Sequence, residues 1–137
     1  MPDKETPDFA WISYSTTLDD AYITVDSQKR LYLSSAAWKK LGLAPEGAAL
    51  IIGHDHANKR LVVAKPEVVR AVNVRPFRFD PRRYCSAKPF IRALAIADET
   101  LPLRYEFLGK DFGAYAEGAY TFGLVGFDAP DGGIKTE

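Results

Sequence analysis

Ile23-Thr24-Val25-Asp26-Ser27-Gln28-Lys29-Arg30-Leu31-Tyr32-Leu33-Ser34-Ser35-Ala36-Ala37-Trp38-Lys39-Lys40-Leu41-Gly42-Leu43-Ala44-Pro45-Glu46-Gly47 is the stretch that decides the fold. Ala21 to Val25 alternates in the β manner and runs into the polar turn Asp26 to Arg30, after which Leu31-Tyr32-Leu33 returns as a second strand. Ser34 or Ser35 can accept from the unpaired N–H groups of a following turn, so Ala36 to Leu41 reads as a short capped helix. Gly42 can take the left-handed conformation that stops it. Pro45-Glu46-Gly47 turns the chain into a strand over Ala49 to Ile52, and the polar run Gly53 to Lys59 reverses it into Leu61 to Ala64. The unit is strand, turn, strand, one-turn helix, strand, turn, strand.

The same order recurs downstream. Phe77-Arg78-Phe79-Asp80 parallels Ile23-Thr24-Val25-Asp26, and deleting one residue from the turn sets Arg82-Arg83 on Lys29-Arg30 and Tyr84 on Leu31. Ile91 then falls on Trp38, Leu94 on Leu41 and Ile96 on Leu43. Leu103 to Phe107 occupies the place of Leu50 to Ile52, and Tyr120-Thr121-Phe122 answers Leu61-Val62-Val63. Few identities are shared, so the repeat is degenerate. The expected organisation is an N-terminal leader over 1–17 with an edge strand at Phe9 to Tyr14, a first unit over 18–70, a second over 71–127 and a polar tail over 128–137.

The quoted stretch resembles the swapped-hairpin family of AbrB, SpoVT and MazE. That family shows a strand ending in Asp, a turn with Gly-Arg, an apolar-x-apolar strand, Pro, a short helix ending Leu-Gly-Leu, and a Gly-containing turn. The spacing from Arg30 to Gly42 fits without a gap, while Lys29 stands where the family has Gly and Ser34 where it has Pro. Gly tolerates a positive φ that Lys resists, whereas Ser can still cap the helix. The resemblance is good over 21–66 and weak over 77–125, an arrangement similar to MraZ-type tandem proteins. It implies a mainly β fold of two tandem swapped-hairpin β-β-α-β-β units forming a pseudo-twofold barrel, with short helices only. A unit of about 50 residues buries too little apolar surface to stand alone. Two on one chain make a pseudo-dimeric monomer, with a homodimer still open.

Carried onto matching positions, the resemblance implies a double-stranded DNA partner met by Lys29 and Arg30 in the first turn and Arg82 and Arg83 in the second. Arg78 alternates on the second unit's strand, and Lys39, Lys40, Lys88 and Arg92 lie on or near the helices. Arg suits bidentate contact with guanine O6/N7 or phosphate, and Lys acts as a mobile point charge. The structural alternative for Lys39 and Lys40 is a solvated helix face. For Arg30 and Arg83 it is a turn base paired with Asp26 or Asp80.

Charge distribution points the same way. Residues 1–28 hold one base against six acids, 93–137 three against eight, and 29–92 fourteen against four, so a centre of +10 lies between ends of −5 each. A basic middle between acidic ends fits a polyanion surface with solubilising flanks. A composition 47% hydrophobic and 26% charged excludes wholesale disorder, and no apolar run approaches the ~20 residues of a membrane crossing. The acidic, polar N-terminus lacks the pattern of an export signal, and the single cysteine, Cys85, excludes a disulfide framework and reads as a small apolar filler. A cytoplasmic protein is expected.

Other chemistry is thin. His54-Asp55-His56 reads as a hairpin turn in preference to a metal site, and no catalytic or nucleotide-binding signature stands out, so neither enzyme activity nor a cofactor is expected. Tyr105, Phe107, Tyr120, Phe122 and Phe127 read mostly as core of the second unit. Phe112 and Tyr115, in the long turn Gly109 to Gly118, are candidates for protein contact, with a loop folded over its own rings as the alternative. The rival function is a protein-binding module, antitoxin-like or mobile-element-encoded, that uses the acidic, aromatic C-terminal part to cap a protein partner.

Overall fold

The computed structural model describes residues 9–11 and 20–131. Among them, alternating sequence gives eight strands: β1 Tyr22–Val25, β2 Arg30–Leu33, β3 Ala48–Asp55, β4 Arg60–Ala64, β5 Phe77–Phe79, β6 Tyr84–Ser86, β7 Leu103–Lys110 and β8 Tyr120–Leu124. Two short helices, α1 Ser35–Lys40 and α2 Lys88–Leu94, and a 3₁₀ turn at Asp98–Thr100 connect them. The protein is mainly β. Its sheet runs β5-β3-β4-β8-β7-β1-β2-β6, antiparallel throughout. The two ends of that order, β5 and β6, are joined by the turn Asp80 to Arg83, so the sheet curls into a nearly closed barrel.

Neither half of the chain makes a sheet of its own. β1 pairs with β7, β3 with β5, β2 with β6 and β4 with β8, each pairing crossing from the first half of the chain to the second. Exchanging β1 to β4 with β5 to β8 turns the β1–β7 ladder into β5–β3 and leaves β2–β6 and β4–β8 unchanged. Register agrees: Ile23 faces Tyr105 while Phe77 faces Leu50.

Inward positions of every second residue fill one core. Ile23, Val25, Leu31, Leu33, Leu50, Leu61, Val63 and Phe122 have no exposed surface, and Tyr105 and Phe79 join them. Ala36, Ala37 and Trp38 of α1 and Phe90 and Ile91 of α2 close on the same cluster. Tyr105 and Phe122 thus meet the expectation of core aromatics, with Phe107 and Tyr120 packed half-buried against them. Cys85 also packs there, opposite Leu31, and burial pushes its thiol up.

Ser34 is the cap of α1, and it does more than cap. Its buried hydroxyl accepts from the N–H of Ala37 at 3.1 Å and of Tyr22 at 3.0 Å, and donates to Asp20 O at 3.0 Å. One side chain therefore ties the helix to the start of β1. Gly42 ends α1 at φ 66°, as expected. α2 ends on a left-handed residue too, but there it is Ala95, at φ 53°.

Both ends of the expected organisation lie partly outside the described residues. Phe9 to Trp11 form no strand, Trp11 is exposed, and the remainder of the proposed edge strand and leader lies outside the described residues. The tail is docked at its beginning, because Asp131 pairs with Arg60.

Candidate nucleic-acid interface

Each of the hairpins β1–β2 and β5–β6 turns on an aspartate. Asp26 Oδ1 accepts the N–H groups of Gln28 at 3.0 Å and Arg30 at 2.9 Å, and the backbone closes through Lys29 N to Asp26 O and Asp26 N to Arg30 O. Asp80 Oδ1 accepts from Arg82 at 2.9 Å and Tyr84 at 3.0 Å, and the backbone closes through Arg83 N to Asp80 O and Asp80 N to Tyr84 O. Lys29 and Arg83 each sit at positive φ, 63° and 75°. This conformation costs an L-residue about 1–2 kcal/mol. The aspartate bonds offset that cost, which is how Lys29 occupies a glycine-like position. These bonds hold the Asp80 carboxyl below its usual range, the Tyr84 N–H contributing most.

This bonding corrects the expected alignment. The turns match with no deletion, so Arg82 is equivalent to Gln28, Arg83 to Lys29 and Tyr84 to Arg30. The deletion falls after β6, where Ile91 N to Ala87 O repeats Trp38 N to Ser34 O. Ile91 and Ile96 therefore keep their expected equivalence to Trp38 and Leu43.

The two turns meet across the β2–β6 ladder. Ala87 N–H donates to Lys29 O, and Leu33 N–H donates to Arg83 O. Arg30 pairs with Asp26 at 2.8 Å and lays its guanidinium over the Tyr84 ring, 4.4 Å from the centroid. Tyr84 carries no charge to offer Asp80, so Asp80 Oδ2 takes Arg82 at 3.1 Å, and Arg82 lies 5.6 Å from the same ring. The structural alternative for these bases is thus realised with Arg82 in the place expected of Arg83. Arg83 instead donates to Leu33 O and to the Tyr32 hydroxyl, at 3.1 and 2.8 Å. Lys29 reaches Asp98 at 3.4 Å.

Sequence reasoning missed the rings between these charges. Tyr84, Tyr32 and Tyr22 form a row with centroids 4.8 and 6.4 Å apart, and Arg104 of β7 lies 3.9 Å over Tyr22 at its far end. The signal was present in the alternation: with Leu31 and Cys85 inward, Tyr32 and Tyr84 must lie on the outer face beside Arg30.

The other predicted bases are dispersed. Arg78 is exposed on β5, opposite Ala49. Lys39 is exposed at the end of α1, and Lys40 lies over the Phe107 ring at 5.0 Å, on β7 and not at the turns. Lys88 and Arg92 are exposed on α2, whose first turn follows the Ala87 bond to Lys29.

Phe112 and Tyr115 are half-buried parts of a charge cluster, in keeping with the alternative of a loop folded over its own rings. Arg60, its side chain 4% exposed, grips Asp131 through two bonds of 2.6 and 2.7 Å. Phe112 covers its guanidinium at 5.0 Å, and the Tyr115 hydroxyl accepts from Nη1 at 3.3 Å while donating to Asp55. That donation, with Asn58, lowers Asp55 to about 2. Burial, then the bond to Asp55, raises Tyr115. Arg60 thus leaves the pool of surface bases that charge counting assigned to the centre.

With Asp55 holding the turn through Ala57 and Asn58, the His54-Asp55-His56 run is the hairpin expected. The two imidazoles share a 2.7 Å Nδ1 contact, and burial followed by the His56 charge lowers His54. No family model, curated protein or solved structure matches the chain.

Proposed function

We propose that the protein is a DNA-binding regulator of the AbrB, SpoVT and MazE type, with two swapped-hairpin units on one chain serving as its own pseudo-dimer. What supports this is one arrangement: two basic hairpin turns, far apart in sequence, are brought together on the outer face of β2–β6 with Lys29, Arg30, Arg82 and Arg83 around them. Two-stranded ribbons of this kind fit a major groove ~12 Å wide, and guanidinium groups suit phosphate oxygens and guanine edges. The cross-half pairing of every unit strand supports the tandem reading, since it joins the two turns rigidly. The protein works in the cytoplasm on this reading.

One observation favours the rival, a module that caps a partner protein: Arg30 and Arg82 already have carboxylate partners, which lowers the net field of the face. Mobility shift on random duplex DNA at several salt concentrations separates the two. DNA binding predicts retardation at about 50 mM salt that weakens steeply toward 200 mM. Arg30→Ala should lower the log–log salt slope by about 0.9 if it meets a phosphate. Failure to retard any duplex at low salt transfers the surface to a protein partner.

A further inference from the structure

Resting on the duplex-binding reading, we propose that Gln28 and Arg82, the equivalent tips of the two turns, are specificity-determining residues, so that the preferred duplex is an inverted repeat broken at one position: adenine under Gln28, guanine under Arg82. Equivalence comes from the backbone. Each residue follows its aspartate by two, donates its N–H to that aspartate's Oδ1, and precedes the positive-φ residue. Both are exposed, whereas Lys29, Arg30, Arg83 and Tyr84 beside them are half-buried.

The side chains at the two tips have different chemistry. A glutamine carboxamide offers one donor and one acceptor, the complement of adenine N6 and N7. A guanidinium offers donors only, the complement of guanine O6 and N7. Arg82 is 75% exposed and gives one Nη2 contact to Asp80, which holds the group at the turn and leaves the rest of its donor fork to solvent or a base. Turn one keeps its arginine two residues further on, where Asp26 and the Tyr84 ring engage it. The same surface therefore presents two halves with matching backbones and unlike readers.

The experiment is selection of bound sequences from a randomised duplex pool by the full chain, its Arg82→Gln variant and its Gln28→Arg variant, with thermal melting to check folding. Wild-type protein should enrich an asymmetric motif. Arg82→Gln should replace guanine by adenine in one half and make the motif symmetric, losing roughly tenfold or more on the parental site. Gln28→Arg should make it symmetric in the opposite sense. The same motif from all three proteins, or a symmetric motif from wild type, overturns the assignment of the tips while duplex binding stands. Retention of no duplex by wild type overturns both.

Discussion

Replacing Asp131 with alanine tests how much of the basic centre belongs to the fold. The carboxylate supplies two short bonds to a guanidinium that is 4% exposed, while being itself 39% exposed. Bonds to a charged group contribute about 1.5–3 kcal/mol each, and breaking a fully buried pair costs about 3–5 kcal/mol. Exposure of Asp131 reduces its share, and the Tyr115 hydroxyl still accepts from Arg60, so the expected loss is about 2–3 kcal/mol. For a chain of this size that is roughly 8–12 °C in Tm. Arg60→Met removes the buried charge together with its need for a partner, and should cost only about 1 kcal/mol. With Arg60 already methionine, adding Asp131→Ala should cost clearly less than the same change costs in the wild type. Urea unfolding of the two single variants and the double variant closes the cycle, with an expected coupling of about 2 kcal/mol. An Asp131→Ala loss below about 0.5 kcal/mol, the scale of a surface pair, would refute the account. So would additivity across the cycle.

Ser34→Ala should cost about 2 kcal/mol in urea unfolding, more than an ordinary cap, because it also strips Tyr22 N–H and Asp20 O of a partner. Asp55, depressed to about 2 from 3.8, stabilises the fold fully above about pH 4 and loses that contribution as pH falls toward 2. Asp55→Asn should therefore be less stable near neutrality and show a flatter stability curve between pH 4 and 2, read from acid titration of Tm. A fragment of residues 1–70 loses the partners of β1, β2, β3 and β4 at once, so it should be unfolded or dimeric by light scattering. A cooperative monomeric fold would contradict the dependence of each half on the other.

Local signals in the sequence carried the element order because each rests on nearby residues. Alternation from Ala21 to Leu33 marks two strands with one buried face. Ser34 and Gly42 mark the ends of α1 through bonds that span only a few positions. The misplaced deletion has a different origin. Matching by composition favours the deletion, which sets two bases on two bases, whereas the observed alignment keeps only Arg83 on Lys29 and sets Arg82 on Gln28 and Tyr84 on Arg30. Only the carboxylate bonds of Asp26 and Asp80 fix which residue is the tip. The surroundings of Phe112 and Tyr115 were illegible for a related reason: their place is set by Arg60, more than fifty positions earlier, and by Asp55, contacts with no local trace.

On the proposed duplex binding, Asp26 and Asp80 bear on how an arginine that is already paired could still contact DNA. An unpaired arginine at a turn would sample many rotamers, and ordering it on contact with a phosphate would cost side-chain entropy. Here Asp26 fixes Arg30 through Nε alone, and Asp80 fixes Arg82 through one Nη2 contact. A guanidinium has five donors in a planar fork, so either contact leaves an edge that can meet a second anion. In the proposed complex, the carboxylate would lower the attraction for distant phosphates while raising the precision of a close contact. Arg30→Lys separates these effects: it keeps the charge but loses the fork and the stack on Tyr84. If orientation governs the contact, this variant should bind duplex nearly as weakly as Arg30→Ala, with a salt slope closer to wild type. Binding equal to wild type would mean that charge alone suffices at this position and that Asp26 serves only the turn.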